Sequence, residues 1–382
     1  MVTAVFILSN SPTPLYVHWQ QQLGFSSGTL TLIFAAYIGG LLVTLLVAGQ
    51  LSDRLGRKPI LIPGLLSAIV ACVLFATASS IVMLGMARLL TGVAVGVIVS
   101  AGMAAVVDMG GTEGKRRASL AASVAMVFGA GLGPLMAGTL AQTLQRSVIP
   151  IFFIELIILI SALVIAVTLP DHSNAGNLGR AENSQSKLHF PAVPAANRQH
   201  LTLGITIFAP GITATAFVLS LGPSLLVKLL EVHSPLIAGG MACAMFLTAT
   251  GVQFMVSRLH VRTIFLLGAA STILAMASLT IAIHASLVVL LIVAALLAGA
   301  GQGLGQLGGL TLIGTHVPDN HRAEANAVLN IGGYIPAGLL PIATGYLIDV
   351  VGLAAGATAF ATVLAIAAAL GGVFVFKRLH RD

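Results

Sequence analysis

Charged and hydrogen-bonding side chains set inside long apolar runs are the residues of this sequence able to do chemistry. Arg88 stands in Met86-Ala-Arg-Leu-Leu-Thr91, and Glu155 is the one carboxylate deep in an apolar run, Phe152-Phe-Ile-Glu-Leu-Ile-Ile158. An ionisable group in such surroundings has to face protein or a water-filled cavity. Arg88 could therefore hold a polar or anionic solute, tune a proton site, or anchor to a neighbouring backbone. Glu155 could carry a proton, partner Arg88, or snorkel toward an interface. Gln302 and Gln306 are four apart and share a helix face, which suits paired hydrogen bonds to a ligand or to a facing helix. Asn330 and Tyr334 repeat that spacing, and Asn10, Tyr16 and Tyr37 add further polar points.

Other chemistries find no support. The ten His do not cluster at metal-ligand spacing, no His-Glu-x-x-His occurs, and Cys72 and Cys243 lie far apart. Gly303-Leu-Gly-Gln-Leu-Gly308 matches a dinucleotide fingerprint but follows no strand, so small-residue helix packing explains it better. Gly114-Lys115 is followed by Arg116 and preceded by Met109 where a phosphate-binding loop needs Gly. The expectation is no metal, no cofactor and no enzyme.

The elements that must position these residues follow from composition. Of 382 residues, 57% are hydrophobic and 8% charged, against about 25% charged in a soluble domain. The net charge of +7 would suit a nucleic-acid partner if the cations formed a patch, but they lie between apolar runs, so none is expected. A bilayer core about 30 Å thick needs about 20 apolar residues per helix. Twelve spans result: 1–17, 30–51, 60–80, 82–107, 118–142, 149–169, 201–227, 235–257, 263–283, 286–314, 323–348 and 352–376. The first carries Asn10, Pro12 and Pro14 in its second half. No Lys or Arg precedes it and no small-residue cleavage site follows, so it is expected to be a span with a short or absent leader rather than a signal peptide. Arg88 then lies about six residues into the fourth span, roughly 9 Å deep.

Cytoplasmic loops collect Lys and Arg. With the loop of Arg54, Arg57 and Lys58 inside, an alternating path leaves only Arg88, Arg146 and Lys228 of the eighteen cations elsewhere. Both termini are then cytoplasmic, which requires an even number of spans. Asp171 to His200 is polar, without sustained apolar periodicity, and reads as a cytoplasmic linker. It divides the chain into bundles at 1–170 and 201–382, six spans each. The halves echo one another. Gln50-Leu-Ser-Asp-Arg-Leu-Gly-Arg57 after the second span has a faded counterpart in Val256-Ser-Arg-Leu-His-Val-Arg262 after the eighth, and Phe128-Gly-Ala-Gly-Leu-Gly-Pro134 one in Tyr334-Ile-Pro-Ala-Gly-Leu-Leu-Pro341.

The turn Gly49-Gln-Leu-Ser-Asp-Arg-Leu-Gly-Arg-Lys58 resembles signature A of the major facilitator superfamily, matched at Gly49, Leu51, Ser52, Asp53, Arg54, Gly56, Arg57 and Lys58. Arg88-Leu-Leu-Thr-Gly92-Val-Ala-Val-Gly96 is similar to signature B. Gly129-Ala-Gly-Leu-Gly133-Pro134-Leu-Met-Ala-Gly138 resembles signature C, with Ala137 in place of a closing glycine. The resemblance covers essentially the whole chain.

The resemblance implies an all-α membrane protein of twelve transmembrane helices in two pseudo-symmetric six-helix bundles, the major facilitator fold. It implies a monomer in the inner membrane that carries a small molecule by alternating access. Asp53, the cations beside it and Asp108 would form a cytoplasmic latch; Ser257 replaces the aspartate in the second half. Spans 1, 4, 7 and 10 would line a mostly apolar cavity, adding Thr13, Thr91, Thr206 and Thr213 to the polar points above. Signature C goes mainly with exporters that exchange substrate for protons, so proton-coupled efflux of small, partly apolar molecules is the leading expectation. Uptake or facilitation of a sugar or organic anion is the alternative, because the first span has no carboxylate and Glu155 is the only deep one.

Overall fold

Helix is the only structure that lets these apolar runs satisfy their own backbone in lipid. The computed structural model describes residues 1–109, 111–144, 148–168, 197–256, 258–318 and 321–379; side chains at 53, 107–109, 111–113, 115, 116 and 323 fall outside that set. Its helices are α1 (Val2–Asn10), α2 (Tyr16–Leu23), α3 (Ser27–Leu55), α4 (Lys58–Ala76), α5 (Ile81–Val97), α6 (Met103–Met109), α7 (Gly111–Thr143), α8 (Ile149–Thr168), α9 (Arg198–Lys228), α10 (Pro235–Val256), α11 (Val261–Ala285), α12 (Val288–His316), α13 (Arg322–Val351) and α14 (Leu353–Arg378). Among the described residues, eleven helices are long and apolar enough to cross a membrane. Most of the expected linker lies outside the described residues.

The first expected span, 1–17, is instead a broken helix that runs to Leu23. Pro12 and Pro14 have no N–H to give the helical ladder, so α1 ends at Asn10 and a 3-10 turn over Thr13–Leu15, closed by Leu15 N–H on the Pro12 carbonyl (3.0 Å), leads into α2. Irregular backbone at this depth is tolerated only inside protein, and Ile7 through Tyr16 is buried throughout. The fourth span is also irregular. Between α5 and α6 it passes through a π turn, Ile98–Gly102, a feature often found at functional sites.

The α3–α4 turn shows why its residue types matter. Gly56 takes a left-handed φ of +94°, its N–H bonds the Ser52 carbonyl (3.1 Å), and the Arg57 guanidinium bonds the Ser52 hydroxyl (3.0 Å). Pro59 then sits in the first turn of α4, where a missing N–H costs nothing.

Packing groups the described residues into two compact units. The first takes residues 1–9, 36–130 and 148–191, and the second 10–35, 131–147 and 192–382, each as far as described. In the first, α4 packs on α5 and α8, with the Phe75 and Phe152 rings stacked at 5.4 Å. In the second, α9 is buried along most of its length against α12 and α13, while α11 joins α12 to α14. Leu203, Ile207, Phe265, Ala269, Leu312 and Val375 form its largest described apolar cluster. The start of α3 and the end of α7 belong to this second unit.

Candidate functional site

In the first unit the polar centre is Arg88. Its side chain is only 1% exposed, and Nη1 donates to the Ser9 carbonyl at 2.7 Å. Ser9 lies in the last turn of α1, whose carbonyls lack helical donors because the chain breaks just beyond it. The guanidinium also satisfies the negative end of that helix. Its carbon lies 5.7 Å from the Phe75 ring centroid, within cation–π range. Tyr37 of α3 hydrogen-bonds the Ser9 side chain and stands within the field of Arg88. The structure thus brings Arg88 and Tyr37 together around Ser9, a residue whose contribution is partly a main-chain carbonyl and therefore invisible to residue type.

Glu155 on α8 does not snorkel; it is 1% exposed. It lies within electrostatic reach of Cys72, whose thiol donates to the Phe152 carbonyl at 3.2 Å. Phe152 stacks on Phe75, the ring beneath Arg88. An unbroken file of side chains therefore connects Arg88 on α5, through α4, to the helix that holds Glu155.

The remaining expected substrate residues lie in the second unit. Asn10 and Tyr16 flank the broken helix, both buried, with Tyr16 edge-on to Trp19 at 6.3 Å. Gln302 and Gln306 are half-buried on α12, and the buried Oε1 of Gln302 has no hydrogen-bond partner among the described residues. On α13, Asn330 donates to the Asn326 carbonyl (2.9 Å), and Tyr334 meets Phe208 of α9 edge-on at 6.5 Å. Thr206 and Thr213 bond back to carbonyls of their own helix, which leaves their hydroxyls little donor capacity.

The signature glycines divide by role. At Gly92 a Cβ would run into the Tyr37 carbonyl and at Gly96 into Thr44, so α3 and α5 meet backbone to backbone. Gly129 faces Thr3 and Phe6 of α1. Gly133 is buried, Gly138 abuts the Pro235 carbonyl, and the carbonyl of Pro134 abuts Gly239, so α7 and α10 are equally close. At Gly49 a Cβ would meet no atom within 4 Å among the described residues. Arg54 lies in the last turn of α3, Arg57 joins the two helices and Lys58 opens α4, while the side chains of Asp53 and Asp108 lie outside the described residues.

Two features were not legible in the sequence. At the opposite end of α3, the Asp349 carboxylate accepts the N–H groups of Ser27 (Oδ1, 2.9 Å) and Gly28 (Oδ2, 2.9 Å), capping that helix from α13. Gly28 and Gly345 leave room for the contact, since a Cβ on either would collide with the other helix. Second, His200 and His316, 116 positions apart, stack with ring centroids 4.1 Å apart. An Asp near a span's end and two distant His carry no local signal of either pairing.

The profile described as Major Facilitator Superfamily matches residues 1–285 and 202–382. The chain therefore belongs to the Major Facilitator Superfamily and is a multi-pass membrane transporter rather than an enzyme. It is 28% identical over 225 residues to the Multidrug resistance protein MdtL of Shewanella oneidensis, which covers 58% of this chain and 51% of that protein. It is 36% identical over 76 residues to the protein of the same name from Klebsiella pneumoniae, 20% of this chain and 19% of that one. The matches thus span about half the length of these relatives or less. Three solved structures share the fold at low identity. A bacterial homologue of the human lysosomal transporter Spinster, in an inward-facing, unoccupied conformation, aligns with TM-score 0.76 at 13% identity over 100% of this chain and 96% of that one. A D-xylose-proton symporter gives 0.75 at 14% over 99% and 96%, and the nucleoside transporter NupG (D323A mutant) 0.69 at 13% over 98% and 97%.

Proposed function

We propose that this transporter exports small, partly apolar molecules in exchange for protons, by alternating access between six-helix bundles at 1–170 and 201–382 tethered by 171–200. Glu155 carries the reading. A coupled carrier needs a titratable group held away from bulk water, and this carboxylate is buried on the helix reached by a packed file that begins at Arg88. Partial similarity to multidrug resistance proteins supports efflux. Asn10, Tyr16, Tyr37, Gln302, Gln306, Asn330 and Tyr334 are the proposed solute contacts, with Arg88 shared between solute and proton. The protein works as a monomer in the inner membrane with both termini in the cytoplasm. Asp53, Arg54, Arg57, Lys58 and Asp108 latch the cytoplasmic end. The Asp349 cap holds the other end of α3, about 40 Å along that helix from the latch residues at 1.5 Å per residue.

The test is a pH jump on proteoliposomes. Uphill movement of a multidrug-type substrate such as ethidium should follow the proton gradient in the parent. In Glu155→Gln the gradient should no longer drive accumulation, although downhill exchange continues. Transport indifferent to the gradient in the parent removes the antiport step. Asp53→Asn should insert normally and transport poorly; normal turnover in that variant counts against the latch.

A second reading, uptake of a sugar or organic anion, is favoured by the unsatisfied Oε1 of Gln302 one turn from Gln306, a pairing suited to hydroxyl recognition. Parent-specific uptake of labelled sugars that is lost in Gln302→Ala would select it.

A further inference from the structure

The stacked histidines stand at the wall of a cavity that the transport reading does not use. The cavity holds about 920 Å³ and is formed by the first turns of α9 and α11, the last turn of α12 and the end of α14. Arg262, Arg378, His200, His260 and His316 line it, and no Asp or Glu does among the described residues. Between them lie Leu203, Leu266, Leu312 and Phe376, so the same space is cationic and apolar at once.

Arg262 is held in place. The Arg262 guanidinium lies 4.4 Å from the Phe376 ring centroid, and Nη2 donates to the Phe376 carbonyl at 3.2 Å. That leaves most of the five guanidinium donors uncommitted. The Nδ1 of His200 is buried without a hydrogen-bond partner among the described residues. Neither α9 nor α11 has a side-chain cap on its first amides, since Asn197 donates instead to the His316 carbonyl at 2.8 Å and His260 makes no cap bond. Two positive helix ends thus add to the arginines and imidazoles in one concavity.

We infer that this cavity binds a phosphate-bearing anion. Guanidinium forks and helix N-termini select phosphate oxygens, and basic pockets between transmembrane helices suit lipid head groups. The volume far exceeds a bare phosphate, and the leucines beside the arginines offer contact to an acyl or other apolar stem. The two sources of such an anion, the head group of an acidic phospholipid and a free phosphorylated solute, differ in whether that stem is engaged. The site depends on neither the proton coupling nor the exported substrate.

Equilibrium binding to the purified full-length transporter in dodecyl maltoside tests it, with dioctanoyl phosphatidic acid, inorganic phosphate and dioctanoyl phosphatidylcholine as probes. Phosphatidic acid should bind saturably, with phosphatidylcholine weaker by about tenfold or more, and the Arg262→Gln/Arg378→Gln variant should lose about tenfold or more in affinity for the anion. Phosphatidic acid binding well above inorganic phosphate identifies a lipid; equal affinity identifies a free phosphorylated solute. Thr263→Trp, on the exposed wall, narrows the space without removing a cation and should lower affinity for the anion several-fold, which decides the matter if the double variant misfolds. Parent-like affinity in Thr263→Trp, parent-like affinity in a folded double variant, or phosphatidylcholine binding equal to phosphatidic acid overturns the site.

Discussion

Arg88 has a backbone partner, and this sets what its loss should do. Removing the guanidinium takes a buried hydrogen bond from the Ser9 carbonyl, at a cost of about 1–3 kcal/mol, and withdraws the charge beside Tyr37. Arg88→Ala should therefore lower both the thermal midpoint and transport, whereas Tyr37→Phe, which removes a hydroxyl alone, should impair transport with little thermal effect. Parallel thermal unfolding and flux assays separate the two. If Arg88→Ala transports normally, Arg88 is an anchor and nothing more. Arg88 and Glu155 stood out in the sequence because a lone charge in an apolar run is rare. Ser9 did not, because what it offers is partly its main chain. Cys72 and Phe75 look like ordinary apolar filler until packing sets them between the two charges.

At the scale of helices, the sequence told spans from loops well and told breaks poorly. Pro12 and Pro14 were visible, but hydropathy alone could not show that the chain would restart at Tyr16 and continue to Leu23. Asp349 illustrates the same limit, since its partners are the first amides of a helix more than 300 residues earlier. A carboxylate at a helix start contributes about 0.3–1 kcal/mol when exposed, enough to shift a balanced equilibrium several-fold without unfolding anything. In a background without Cys72 and Cys243, Thr31→Cys places a thiol at a wholly buried site next to that cap. Adding Asp349→Ala should raise its maleimide labelling rate several-fold, and an unchanged rate would show that the cap does not hold this end shut. Gly138→Leu, forced against the Pro235 carbonyl, should disturb the same end through α7 and α10, read as reduced transport with normal insertion.

For the whole molecule, lipid constrains the backbone so tightly that helical spans were legible from apolar run lengths, and the fold class followed from the resemblance of three motifs to family signatures. The grouping of residues by packing was not legible. The second compact unit takes in the start of α3 and the end of α7, a choice made by long-range contacts such as Gly138 with Pro235 and Asp349 with Ser27. Sidedness remains open to a direct check. Reporter tags fused after Asp382 and inserted within 171–200 should both be active on the cytoplasmic face. Opposite faces would exclude an even number of spans.

The two compact units part between Ser9 and Asn10, at the lip of the proline break and one residue past the carbonyl that Arg88 holds. Pro12 and Pro14 supply no N–H, so fewer helical hydrogen bonds cross this stretch than cross an unbroken helix. A substitution that alters the end of α1 therefore reaches the arginine through the Ser9 carbonyl.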